Sequence, residues 1–280
     1  MLVLLFGNRG MLGQAVEAAL KARNISYTAT DLPECDITRP SDIRLWISQA
    51  RPGILINCAA FTAVDDAETQ RDEAMAANRE AAHYLAEAAR GLKAPLVHLS
   101  TDYVFNGLKA GDWTEEDIPD PVNYYGFTKL EGEKPVLSYE GGVVIRTSWL
   151  FGRGGKNFVD TVAAKLKAGE TLEVVDDQRG CPTSTPALAE AILNLLQVSA
   201  RGIYHFCQPP ATTWFDLAEF IAMELGLPPE RVRPTTSDRF PRPAKRPANS
   251  VLSTEKYRKA ISQTIPFWTE SLRDHLKAAE

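Results

Sequence analysis

The chain has 280 residues, a formal net charge of −5, 44% hydrophobic and 24% charged residues. That length holds one large α/β unit or a main domain with a smaller companion, and the composition is that of an ordinary soluble globular protein. The mild negative charge and the lack of any polybasic run exclude a broad nucleic-acid footprint.

The chain starts Met1-Leu2-Val3-Leu4-Leu5-Phe6 and meets Gly7. This apolar run is too short to span a membrane and lacks the basic flank of a signal peptide, so residues 2–6 read as a buried strand. Helical spacing without proline covers 11–22, and 26–30 reads as a second strand. Pro40 and Pro52 bracket a helix over 41–50, followed by a strand over 54–57. An Ala-rich helix is predicted over 70–90 with Gly91 as its stop, then a strand over 96–100. A helix over 126–133, a strand over 143–146 and a helix over 157–168 ending at Gly169 follow. Continuous apolar strands separated by helices predict a Rossmann-type, doubly wound parallel sheet covered on both faces.

Beyond residue 150 prolines and irregular stretches increase, with helices over 186–196 and 215–225. The division this suggests is a dinucleotide-binding domain over 1–150. Residues 151–280 then form a smaller, irregular, mainly substrate-binding region, some of whose elements rejoin the first sheet. Cys35, Cys58, Cys181 and Cys207 form no C-x-x-C pair and read as reduced thiols of a cytoplasmic protein. His83, His98, His205 and His275 show no metal-ligand spacing, and no metal site is expected.

Gly7-Asn8-Arg9-Gly10-Met11-Leu12-Gly13 lies between the first strand and the first helix. Glycines let the backbone approach a pyrophosphate, and the helix N-terminus supplies free N–H groups and a positive dipole end. The alternative is a tight turn without a ligand. Asp31 closes the second strand where an acid meets the adenosine ribose, which favours NADH. Arg9 suits a 2′-phosphate, which favours NADPH, so both cofactors stay open. Asp36-Ile37 flanks the adenine position.

Tyr125-Gly126-Phe127-Thr128-Lys129 is Y-x-x-x-K, which on a helix places phenol and ammonium on one face. The ammonium is expected to lower the phenol pKa, so that Tyr125 exchanges a proton near neutrality. Upstream, Ser100 and Thr101 leave the fourth strand at its C-terminal end, where ligands bind in open α/β sheets. Their hydroxyls can stabilise a developing alkoxide, or merely cap the strand.

Further motifs stand in order: Asn57-Cys58-Ala59-Ala60-Phe61-Thr62-Ala63-Val64-Asp65, Ser100-Thr101-Asp102-Tyr103-Val104-Phe105-Asn106-Gly107, and Tyr124 to Glu133. Arg146-Thr147-Ser148-Trp149-Leu150-Phe151-Gly152, Asp177-Gln178-Arg179-Gly180-Cys181-Pro182-Thr183 and Arg246-Pro247-Ala248-Asn249-Ser250 complete the series. With the glycine loop they resemble the dTDP-4-dehydrorhamnose reductase family, an extended branch of the short-chain dehydrogenases/reductases, over roughly residues 1–257. The resemblance implies a catalytic Thr101, Tyr125 and Lys129. It implies cofactor contacts from the glycine loop (Gly7, Asn8, Arg9, Gly10, Met11, Leu12, Gly13), from Asp31, Asp36 and Ile37, from Ala59, Ala60, Phe61 and Thr62, and from Ser100, Tyr125 and Lys129. A nucleotide-linked sugar would meet Thr62, Val64, Thr101, Asp102, Tyr103 and Trp149, with Arg246 and Asn249 suited to its diphosphate. The implied reaction is reduction of a 4-keto sugar by NADPH or NADH.

Cys58 stands where many relatives have Ala. Ala15 stands where some carry an acid used in a metal-bridged dimer, and Glu190 alone does not make a metal site. A 4,6-dehydratase would need Glu after Asp102, where Tyr103 stands, and an epimerase a Ser-Ser-Ala-like stretch. A reductase of another deoxysugar and a non-catalytic NAD(P)-binding regulatory subunit remain as alternatives. The expected partner is a small nucleotide sugar, with neither membrane nor nucleic acid, and a homodimer is left open. Asn78 is expected to hold a water near the nicotinamide or to be a polar spot in the packing. Trp149 is expected to stack on a sugar or base face or to pack in the core. Asp65, Asp66 and Glu68 read as a solvent-facing helix start.

Overall fold

The computed structural model describes residues 2–278, so Met1, at the head of the first apolar run, lies outside the described residues, as do the last two of the 151–280 region. Strands and helices alternate from the start: β1 (Val3–Phe6), α1 (Met11–Ala22), β2 (Tyr27–Thr30), α2 (Pro40–Ala50), β3 (Ile54–Asn57). Then come α3 (Arg71–Met75), α4 (Ala81–Leu92), β4 (Leu96–Thr101), α5 (Tyr124–Leu137) and β5 (Gly142–Thr147). The second half adds β6 (Leu150–Phe151), α6 (Phe158–Lys167), β7 (Leu172–Val175), β8 (Arg179–Gly180), β9 (Thr183–Ser184) and α7 (Thr185–Gln197). The remainder is β10 (Gly202–His205), β11 (Thr212–Thr213), α8 (Trp214–Glu224), β12 (Val232–Thr235), α9 (Glu255–Ile261) and α10 (Trp268–Lys277).

Six strands form one sheet in the order β10-β5-β4-β3-β1-β2. Every neighbouring pair in it is parallel. β10 comes from the second half and extends the sheet beside β5. Side chains alternate along each strand. Val3 and Leu5 pack with Val16 of α1 and Leu188 and Ile192 of α7 on one face. Leu4 and Phe6 pack with Ile43 of α2 and Leu85 of α4 on the other. Each such side chain, fully buried, contributes about 1.5–3 kcal/mol, which is why the continuous apolar runs become interior strands.

β1 lies between β2 and β3, so the chain winds in opposite directions on its two sides. At such a reversal the loops leaving the strand ends diverge and open a crevice. Residues 7–10 and 58–62 flank it. A separate layer, in which Phe151, Val159, Leu166, Leu217, Ile221 and Leu272 pack together, is built by α6, α8 and α10 with the parallel pair β7–β12. The sequence pattern assigned no strand to 172–175 or 232–235, because runs of four residues carry little periodicity.

Two helix boundaries depart from expectation. The long helix predicted over 70–90 is α3 and α4 joined by a π-helical turn over Ala76–Glu80. Gly91 lies inside α4, and the stop is Lys93 in the left-handed conformation. α5 runs four residues past the predicted end at 133 and carries Pro135 in its last turns.

Candidate active site

A cleft of about 760 Å³ opens at the C-terminal ends of β1, β3 and β4. Its floor is the glycine loop. Gly10 is the N-cap of α1 with no side-chain cap bond, so the first-turn N–H groups remain open to a ligand. A Cβ on Gly13 would stand 2.0 Å from the Gly7 carbonyl oxygen, so the close fold of this loop admits only glycine there. Gly7, Gly10, Met11, Leu12 and Gly13 line the cleft, whereas Asn8 and Arg9 do not. Asn8 turns to Glu17, and Arg9 bonds the Leu32 carbonyl and pairs with Glu34 at 2.7 Å. Asp31 lines the cleft and accepts the Arg9 backbone N–H at 2.9 Å and the Leu32 N–H at 2.8 Å. Asp36 and Ile37 line the same end.

Along one side run Ala59, Ala60, Phe61, Thr62 and Val64. Asn78, fully buried at the π-helical turn, holds this wall. Its amide oxygen accepts from Phe61 N at 2.9 Å, and its nitrogen donates to Phe61 O at 3.1 Å and Thr128 Oγ1 at 2.9 Å. Those bonds make Asn78 a strut between this wall and α5. Close approach is permitted at Gly132, where a Cβ would sit 2.1 Å from the Asn78 carbonyl.

β4 delivers Ser100 and Thr101 to the rim. Thr101 caps a single 3-10 turn, Asp102–Val104, accepting from Tyr103 N at 3.2 Å and donating to Asp102 Oδ1 at 3.0 Å. Asn123 caps α5 through Gly126 N at 2.8 Å, and Glu68 accepts the Tyr124 N–H at 2.8 Å. This anchored first turn sets Tyr125 and, one turn on, Lys129 in the cleft beside Ser100, Thr101, Asp102 and Tyr103. The Tyr103 and Tyr125 rings meet edge to face at 6.0 Å.

The electrostatics correct one expectation. Tyr125 is not made more acidic: burial pushes its phenol up to about 12, nearby Thr101 pulling it back and Asp102 adding to the rise. Burial brings Lys129 down to about 8, against Glu133 and Cys58. Burial also raises the Asp102 carboxyl to about 7, opposed by Ser250 and Thr101. Desolvation therefore dominates the acidity of the phenol, which stays protonated near neutrality.

Behind Lys129 lies a buried ionic pair. Glu133 takes two bonds from Arg146, at 2.8 and 2.6 Å, and the Ser100 hydroxyl donates to the same carboxylate. Arg146 and Glu133 are each 1% exposed. Burial, and after it Arg146, hold His205 down to about 3, so it stays neutral.

Other expected residues sit differently. Trp149 lines the cleft, but one ring face is stacked on Trp214 at 3.6 Å, and its backbone is in the left-handed region at φ 50°. A non-glycine residue held there stores strain and is over-determined by its surroundings. Arg246 does not line the cleft; it pairs with Asp65, Nη2 to Oδ2 at 3.0 Å, and lies close enough to Tyr103 to interact with its phenol. Asn249 donates to the Lys109 and Gly111 carbonyls and is likewise off the cleft. Asp66 is exposed at the start of a 3-10 turn over Asp66–Glu68, as read from the sequence, whereas Asp65 and Glu68 are half-buried and have partners. Glu190 pairs with Arg23. Among the described residues no group of three or more His, Cys, Asp or Glu is placed to hold a metal, and no helix is long and apolar enough to cross a membrane.

Among the cleft residues that the sequence reading did not assign to the site are Lys156 and Trp214. Gly155, next to Lys156, abuts Met11 so closely that a Cβ would lie 2.6 Å from Met11 Cγ. Lys156 therefore stands beside the start of α1. The only signal was its glycine-rich context, Gly152-Arg153-Gly154-Gly155, and Trp214 had none.

A family model described as the RmlD substrate binding domain matches residues 1–280. The chain is 41% identical over 274 residues to a probable dTDP-4,6-dihydroxy-2-methyloxan-3-one 4-ketoreductase of Streptomyces antibioticus, covering 97% of this chain and 93% of that one. It is 40% identical over 283 residues to a dTDP-4-dehydrorhamnose reductase of Streptomyces griseus, covering 98% and 93%. The crystal structure of dTDP-4-dehydrorhamnose reductase from Bacillus anthracis in complex with NADP superposes with a TM-score of 0.95 at 33% identity, covering 99% of each chain.

Proposed function

This chain belongs to the dTDP-4-dehydrorhamnose reductase family, and from that membership we propose that it reduces the C4 keto group of dTDP-4-dehydro-β-L-rhamnose to give dTDP-β-L-rhamnose. It is an NAD(P)-dependent oxidoreductase of nucleotide-sugar metabolism. The observation that carries the reading is the convergence of Thr101, Tyr125 and Lys129 at one mouth of the sheet, beside the glycine loop.

The open N–H groups of α1 and the glycine-only approach at Gly13 fit a dinucleotide diphosphate. When bound, the reduced nicotinamide supplies the hydride to C4. Asp31, Asp36 and Ile37 would hold the adenosine end, and Lys129 the nicotinamide ribose. Thr101 and Tyr125 orient the keto oxygen, and Tyr125 gives it a proton as negative charge develops. A phenol held near 12 keeps that proton until the oxygen becomes alkoxide-like. Trp149, which lines the cleft, would meet the sugar or base, and Lys156 would supply a cation for a diphosphate.

Supplying the purified protein with dTDP-4-dehydro-β-L-rhamnose and NADPH or NADH tests the reading through loss of the reduced cofactor. Tyr125→Phe is expected to cut kcat by about 10²–10⁴ with cofactor affinity nearly unchanged; equal activity removes Tyr125 from its role. A second substrate reading, another dTDP-linked 4-keto deoxysugar, is favoured by the 41% identity to a 4-ketoreductase of a different name. Comparing kcat/KM across such ketosugars separates the two. Turnover with any of them sets aside a purely regulatory NAD(P)-binding role.

A further inference from the structure

Trp149 lies between β5 and β6, just past the end of a strand of the main sheet, and Trp214 opens α8 in the second layer. Their indoles stack at 3.6 Å and within 8° of parallel, and both residues line the cleft. Trp149 does not hold this place by local preference. Its backbone is left-handed at φ 50°, a conformation that an aromatic residue keeps only where its surroundings impose it. Two neighbours press on its ring. Gly180 abuts the indole so closely that a Cβ there would stand 2.5 Å from Trp149 Cε2, and Trp214 supplies the stack.

Trp214 is itself braced. Its Nε1 donates to Gln178 Oε1 at 3.2 Å, and Gln178 Nε2 donates to the Ser237 hydroxyl at 2.8 Å. The Phe158 ring, at the start of α6, lies 4.5 Å from it at a tilt of 52°. Trp149, Phe158 and Trp214 all pack against the apolar layer of α6, α8 and α10. A side chain carried by the main sheet is therefore placed by the second layer.

We propose that Trp214 is a positioning residue: it holds the Trp149 indole as the wall against which the sugar nucleotide binds, and so sets affinity for that substrate without touching the hydride or the proton. The proposal rests on the reading above, in which Trp149 meets the sugar or base. A stack of two aromatic rings is worth up to about tenfold in a binding constant. A wall that meets substrate and transition state alike changes KM and leaves kcat in place.

The test compares wild type with Trp214→Ala, Trp214→Phe, Trp149→Ala and the double variant Trp149→Ala/Trp214→Ala. Kinetics with dTDP-4-dehydro-β-L-rhamnose at saturating NADPH give KM and kcat. Calorimetry with dTDP-β-L-rhamnose gives an affinity free of turnover, and NADPH binding is read from the fluorescence of the nicotinamide. Trp214→Ala should raise KM, and weaken the calorimetric affinity, by about tenfold. Its kcat and NADPH affinity should stay within about twofold of wild type. Trp214→Phe, which keeps an aromatic face, should restore most of the loss. The double variant should bind no worse than Trp149→Ala, because Trp214 acts through Trp149. If Trp214→Ala does not fold, Trp214→Leu, which keeps apolar volume and loses the stack, carries the same expectation. Losses that multiply in the double variant make Trp214 a direct contact and overturn the positioning role. An unchanged KM, or a fall confined to kcat, overturns it as well. A wild type that consumes no reduced cofactor with this or any other dTDP-linked 4-keto deoxysugar overturns the reduction reading and the proposal with it, a result distinct from an active enzyme whose variants bind as tightly as wild type.

Discussion

Burying Asp102 has a cost that depends on pH. Its carboxyl ordinarily titrates at 3.8 and is raised to about 7 in the fold. Between those values the folded protein keeps a proton that the unfolded chain releases, so this residue's contribution to stability falls as pH rises through the window. Asp102→Asn removes the effect. The stability difference between variant and wild type should shift in the variant's favour by on the order of 4 kcal/mol from pH 4 to pH 8, read by chemical denaturation at each pH. A constant difference would mean that the carboxyl is ionised in the fold. Lys156 makes a second prediction at this scale. If it serves a diphosphate, Lys156→Ala should raise KM for cofactor or sugar nucleotide several-fold and leave kcat almost unchanged, because a group that binds substrate and transition state equally shifts only binding. Neither behaviour was legible in the sequence. Asp102 stood there as a substrate contact, and Lys156 as one lysine in a loop.

At the scale of elements, close approach decides most of the site's geometry. Gly13→Ala forces a methyl group against the Gly7 carbonyl. Overpacking of this kind costs about 1–3 kcal/mol, and here it also moves the N–H groups that would receive the diphosphate. Cofactor affinity in that variant should drop tenfold or more by fluorescence titration, with a lower melting temperature. The Glu133–Arg146 pair ties α5 to β5 and holds the Ser100 hydroxyl. Arg146→Met leaves a buried carboxylate unpaired and should destabilise the fold by about 3–5 kcal/mol, with Glu133→Gln in the same chain restoring part of the loss. The Y-x-x-x-K spacing was plain in the sequence, because Tyr125 and Lys129 fall one turn apart on any helix. The helix end was not plain: Pro135 argues for a stop, yet α5 continues to Leu137. A proline near the end of a helix removes few bonds when packing fixes the turn.

For the whole molecule, binding of a dinucleotide in a cleft between strand ends should raise global stability. At a hundredfold excess over Kd the gain is about 2.7 kcal/mol, worth roughly 5–10 °C in melting temperature for a chain of this size. Measuring the shift with NADPH and NADH in parallel reads the preference directly. The larger shift identifies the cofactor, and no shift with either would contradict dinucleotide binding. The conflicting sequence signals meet at one place here, since Arg9 and Asp31 are joined through the Arg9 backbone N–H and the Arg9 side chain is already paired with Glu34.

The amino-acid sequence alone determined the strand–helix alternation, the glycine loop after the first strand, and the pairing of Tyr125 with Lys129. Those features are local, set by periodicity, backbone freedom and spacing. The tertiary structure alone decided which charges are dry. It raised Tyr125 and Asp102, lowered Lys129, turned Arg246 toward Asp65 and brought Lys156 and Trp214 to the cleft. Desolvation depends on segments far apart in the chain that happen to cover a group, and no local pattern records what will lie on top of it.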